Sequence, residues 1–148
     1  MCYLCSANPL KAHFWMTKYC LDLVLRRTSA PRPGYVLLQL ANPSGALPPM
    51  QPGQFVEVRV DGSPGTFLRR PISINLVDSA TDELWLLVHV VGAGTRALAQ
   101  LKEGALVNVV LPLGSGFTLP VGPSRPLLIG GGVGTAPLLF LGQELAAR

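Results

Sequence analysis

Apolar and polar residues alternate along most of the chain from Tyr19 onward. The alternation is cleanest at 54–60, where Phe55, Glu57 and Arg59 take one side of a pleat and Val56, Val58 and Val60 the other. Similar runs at 20–27, 35–41, 71–77, 84–91 and 106–111 bring the expected strands to six. The stretches between them are rich in turn formers: Pro31, Pro33 and Gly34, the Pro/Gly loop 42–53, Asp61-Gly62-Ser63-Pro64-Gly65, and the short link 78–83. One helical stretch at 95–101 closes at Lys102-Glu103-Gly104, a glycine stop. Short strands at this spacing predict a mainly β protein built on a small, six-stranded antiparallel barrel.

The pattern changes after Pro126. Leu127-Leu128-Ile129 is continuously apolar, as expected of a strand buried on both faces. A glycine-rich turn follows, and then helical composition from Ala136 to Ala147. This predicts the first βα unit of a parallel sheet, the opening of an α/β domain that is incomplete here. The expected division is an N-terminal extension at 1–16, a barrel domain at 17–121 and the start of a nucleotide-binding domain at 122–148. No coherent element is expected before Met16, which reads as the functional start.

Composition narrows the function classes. A chain of 148 residues makes about one domain. With 49% hydrophobic and 14% charged residues it is not a disordered chain. A net charge of +4 without clustered Lys or Arg, together with 7% aromatics, argues against a nucleic-acid surface. Mean hydropathy of +0.39 calls for a membrane check. The uncharged run 126–143 has the length to span a bilayer, but Gly130, Gly131, Gly132, Gly134 and Pro137 interrupt it. No membrane span is expected, and residues 1–16 lack the features of a signal peptide. Cys2, Cys5 and Cys20 make an odd count with no second pair for a metal, so incidental thiols in a reducing cytoplasm are expected, and no metal site.

Three segments could carry chemistry. In Arg69-Arg70-Pro71-Ile72-Ser73-Ile74, a guanidinium suited to phosphate precedes a strand-opening proline, and Ser73 shares a face with Pro71. The same residues also suit a strand edge blunted by charge. In Val91-Gly92-Ala93-Gly94-Thr95, glycines allow close backbone approach and a helix start offers N–H groups to an anion, with Thr95 a candidate N-cap. Plain strand-to-helix turn chemistry explains that segment equally well. Gly130-Gly131-Gly132-Val133-Gly134-Thr135-Ala136-Pro137 lies between the apolar run and the helix, the setting of a dinucleotide turn, although it reads G-x-G-x-x-P.

In this order the segments resemble the ferredoxin–NADP reductase superfamily. Arg70-Pro71-Ile72-Ser73, Gly94-Thr95 and Pro112-Leu113-Gly114-Ser115-Gly116-Phe117 are most similar to the electron-transfer subunits of class B dihydroorotate dehydrogenases. The resemblance covers about Lys18 to the end. It implies an FR-type FAD-binding barrel in which Arg70 pairs with flavin phosphates and Pro71, Ile72 and Ser73 line the isoalloxazine. Leu87, Val88 and His89 would meet the ribityl and adenosine side. Gly94 and Thr95 would donate to the pyrophosphate, by backbone and hydroxyl. Gly130, Gly131, Gly132, Gly134, Thr135 and Pro137 would open the NAD(H) site. Electrons would pass between NAD(H), FAD and a [2Fe–2S] cluster, and on to a catalytic dihydroorotate dehydrogenase subunit of pyrimidine biosynthesis. No side chain is needed as a catalytic acid or base.

Departures from the family pattern are His89, where arginine is common, and Leu111, where glycine is common. The cysteine-rich tail expected to ligate the cluster is missing, so a partial chain that binds FAD weakly and is inactive alone is expected. Two other readings stand beside this one. The first is the flavin/NAD subunit of a hydrogenase, sulfide dehydrogenase or NADH-dependent ferredoxin reductase. The second is a non-enzymatic barrel serving only as a binding module.

Overall fold

The computed structural model describes residues 17–122 and 125–148. The expectations for the extension 1–16, including Cys2 and Cys5, lie outside the described residues. Six strands form: β1 (Tyr19–Ser29), β2 (Tyr35–Ala41), β3 (Phe55–Val58), β4 (Arg70–Asp78), β5 (Glu83–His89) and β6 (Leu106–Leu113). A short helix α1 (Ala93–Ala99) lies between β5 and β6. A 3-10 turn (Gly132–Thr135) leads into a second helix α2 (Ala136–Ala146).

The strands close into a barrel in the order β1-β2-β5-β4-β3-β6, with every neighbouring pair antiparallel. Closure leaves no long open edge, which is how a small sheet escapes edge-to-edge association. The period-two pattern sets which side chains enter the barrel. Val56 and Val58 of β3, Leu84, Leu86 and Val88 of β5, and Leu38 and Leu40 of β2 are buried, while their outward neighbours stay at least partly accessible except Gln39. Leu98 of α1 and Leu23, Leu25, Val107, Val109 and Leu111 of β1 and β6 complete one continuous core.

Three register shifts interrupt the ladders, one of them between β3 and β6 at Phe55 and Glu57; the other two are bulges. One bulge falls at Arg26, between Leu25 and Arg27, and the other at Asn75, between Ile74 and Leu76. At each, two residues face one on the partner strand, which bends the strand and re-aims a side chain. At Asn75 the re-aimed amide donates to the Ala136 carbonyl over 2.7 Å, with both residues buried. That bond fixes the start of α2 against β4.

The expected βα unit forms only in its second half. Residues 127–129 are not a strand; Leu127 and Ile129 are 81% and 82% exposed. A parallel strand needs neighbouring strands for its backbone groups, and no described strand pairs with this segment. The helix expected at 95–101 starts earlier and runs 93–99, because Gly92 rather than Thr95 is its N-cap.

Candidate functional site

Arg69 and Arg70 diverge at the mouth of β4. The Arg69 guanidinium donates to the carbonyls of Glu57 and Asn108, each over 3.3 Å, and to Oδ1 of Asn108. Asn108 in turn donates from Nδ2 to Asp22 over 2.7 Å. Arg69 is therefore a clamp across β3, β6 and β1. The half-buried Arg70 guanidinium has no hydrogen bond or ion pair to any described residue, so its donors remain open to an anion.

The Arg70 side chain lies against the first turn of α1. A Cβ added at Gly94 would stand 2.7 Å from Arg70 Nε and 3.1 Å from Thr66 Cγ2. Only glycine leaves that space, and Gly94 is buried there. Thr66 is held in its own turn by Ser63, through a 2.9 Å backbone bond and a 2.7 Å contact between hydroxyls. The β4 mouth, the turn at Thr66 and the α1 start thus meet at Gly94.

Thr95 has a different place from the one expected. It is the third helical residue, and its Oγ1 accepts from the amides of Val91 and Gly92 at 3.0 Å each while donating to the Gly92 carbonyl over 3.1 Å. Its hydroxyl is fully used in capping and has no proton left for a ligand. The first intrahelical bond runs from the Arg96 amide to the Gly92 carbonyl, so the amides of Ala93, Gly94 and Thr95 precede the helical ladder.

On the outer face, Pro71 is exposed and Ser73 half-buried, and Ile74 pairs with Leu86, which sets Ser73 beside Leu87. Ile72 packs against the core. Val88 points inward and is 1% exposed, so only its backbone can meet a ligand. His89 stacks on Tyr35, its partner in the β2–β5 register, with ring centroids 4.5 Å apart and planes 7° apart. The Arg32 guanidinium lies over the Tyr35 ring, 5.0 Å from its centroid.

Tyr35 connects this face to the glycine-rich turn. Its hydroxyl lies 3.9 Å from the position a Cβ on Gly132 would take. Gly130 is tightly enclosed: a Cβ there would stand 2.6 Å from Leu138 Cδ1 and 3.1 Å from Thr135 Cγ2. Gly131 and Gly134 face open space. Thr135 donates from Oγ1 to the Gly132 carbonyl over 2.8 Å, and Pro137 occupies the first turn of α2, where its missing N–H costs nothing. Sequence reasoning missed Tyr35, Thr66 and Asn75. Asn75 alone left a signal, a polar side chain between Ile74 and Leu76 in a strand. The other two become visible only through register and turn geometry. Among the described residues no group of three or more His, Cys, Asp or Glu converges as metal ligands.

Solved structures share this fold. A cytochrome P450 reductase from Amycolatopsis superposes with TM-score 0.74 at 29% identity, over 88% of this chain and 40% of its own. An NADH-dependent reduced ferredoxin–NADP oxidoreductase gives 0.73 at 27%, over 87% and 45%. The chain carries a barrel of the ferredoxin–NADP reductase type. Its sequence resemblance within that superfamily is to the electron transfer subunit of dihydroorotate dehydrogenase B (NAD(+)). It is 53% identical to that subunit from Desulforamulus reducens over 95 residues, which are 64% of this chain and 36% of the relative. For the Shouchella clausii subunit the values are 45% over 97 residues, 64% and 38%. No family model matches. The chain thus spans little more than a third of the length of these curated relatives.

Proposed function

We propose that this reductase-type barrel binds FAD at the surface formed by Arg70, Gly94 and the outer faces of β4 and β5. The observation that carries this reading is the juxtaposition at Gly94: an unpaired, half-buried guanidinium lies where a Cβ would stand, beside amides that precede the helical ladder. That donor set fits a diphosphate. Bound FAD would supply hydride acceptance and single-electron release, and the chain's own residues bind and orient it. Arg70 and the amides of Gly94 and Thr95 would hold the phosphates. Pro71, Ile72 and Ser73 would line the flavin ring, with Leu87, His89 and the Val88 backbone along the rest of the molecule. Gly130, Gly131, Gly132, Gly134, Thr135 and Pro137 would form the edge at which NAD(H) enters.

For the whole protein we propose electron transfer between NAD(H), FAD and an iron–sulfur cluster, serving a partner subunit that oxidises dihydroorotate. The names of the relatives support this reading. The cysteines of this chain stand at 2, 5 and 20 only, and cluster ligation is not assigned to them.

The test is reconstitution. The 148-residue chain, incubated with FAD and gel-filtered, is expected to elute yellow and to melt at a higher temperature. At a free FAD concentration about 100 times Kd, the stabilisation is about 2.7 kcal/mol by mass action. A colourless chain whose melting temperature FAD does not move overturns the reading.

A further inference from the structure

At the end of β5 away from His89, the outer barrel face opens into a second cleft of about 360 Å³, lined by Arg26, Arg27, Gln39, Asp78, Glu83 and Trp85 together with Thr81. Strand register builds it. Arg27 pairs with Gln39 and Gln39 with Trp85, so three polar heads stand in one row across β1, β2 and β5. The bulge at Arg26 adds a second guanidinium opposite Gln39. Asp78 pairs with Glu83, which brings two carboxylates to the neighbouring row.

The row contains unmet hydrogen-bonding capacity. Trp85 Nε1 is buried and has no acceptor among the described residues. Gln39 is only 9% exposed, and its amide makes no hydrogen bond to a described residue. An indole N–H can only donate, and leaving it buried without an acceptor is costly. Arg26, Arg27 and Glu83 form no ion pair among the described residues, while Asp78 spends one oxygen on the Ala80 amide at 2.9 Å. One wall therefore offers donors in search of an acceptor, and the other offers carboxylates in search of a cation. Glu83 and Trp85 are two residues apart on one face of β5, a separation of roughly 7 Å.

We propose that this cleft is a binding site for a small zwitterion of the α-amino-acid class. Its carboxylate would be held by Arg27 and Gln39 against the Trp85 ring, and its ammonium by Glu83 and Asp78. The two wall charges cancel, which disfavours a simple anion or cation and favours a ligand carrying both charges a few ångströms apart. The cleft volume lies in the range of small-ligand sites. The site does not rest on the flavin reading, because Arg70, Gly94, Leu87 and His89 do not line it.

Trp15 and Trp85 are the two tryptophans. Trp15→Phe in the 148-residue chain therefore leaves one indole N–H resonance, which reports the cleft directly. Glycine is expected to move that resonance saturably. Acetate and methylammonium, each at the same concentration and ionic strength, are expected to bind at least about tenfold more weakly. Arg27→Gln and Glu83→Gln are each expected to weaken glycine about tenfold while leaving the remaining amide spectrum in place. The proposal is overturned if glycine produces no saturable shift, if acetate alone matches glycine, or if both variants bind glycine as the parent does. The first of these results would mean that the cleft takes no zwitterion, and the second that it is an anion site.

Discussion

Neighbouring arginines at the β4 mouth separate into a structural and a ligand-ready cation because of what each can reach. Arg69 finds two carbonyls and the Asn108 amide, whereas Arg70 finds only the open space above Gly94. Arg70→Gln should therefore leave melting of the ligand-free chain nearly unchanged and weaken FAD by about 10- to 100-fold, the loss expected for a charge-assisted contact. FAD fluorescence quenching measures it. Gly94→Ala acts on the same pair from the other side. Its methyl group must push the Arg70 side chain aside, and an affinity loss of about tenfold or more is expected in the same titration. Thr95→Val tests the corrected role of that residue. Removing its hydroxyl strips the caps from two amides, so unfolding should become easier by about 1 kcal/mol in a urea titration.

Among the elements, α2 depends most on one tie. Its apolar residues pack on β4, but its starting carbonyl is fixed by the bulged Asn75. Asn75→Leu should leave the Ala136 carbonyl buried without a donor, at a cost of about 1–3 kcal/mol. Hydrogen exchange should rise in α2 well before it rises in the barrel strands. Equal acceleration in α2 and the barrel would show that the helix and barrel open as one unit.

For the molecule as a whole, closure of the sheet makes the core a single packing unit shared by all six strands. Leu38→Ala, at a fully buried site, should cost about 2–5 kcal/mol and shift the entire unfolding transition rather than a part of it. The glycine-rich turn stands apart from that core. Leu127 and Ile129 beside it and Val133 within it are exposed, so the edge proposed for NAD(H) is not enclosed. The chain loaded with FAD is accordingly expected to show no sustained NADH-dependent dye reduction, and steady turnover would show that the turn alone suffices.

Most of the barrel was legible in the residue pattern because alternation and glycine or proline turns are local properties. Runs such as 35–41 matched their strand to the residue, and the inward side chains of β3 followed from period two alone. The three candidate segments were legible as residue types, and the family resemblance carried their order. The strand expected at 127–129 failed because an apolar run specifies burial but not a partner, and here no strand pairs with it. Sequence by itself determined which residues face the core, since side-chain direction in a strand needs only counting. Tertiary structure decided that Arg70 meets Gly94, that Tyr35 stacks on His89, and that Trp85, Gln39 and Arg27 share a row. Those meetings depend on register, bulges and closure, which arise only when distant segments pack together.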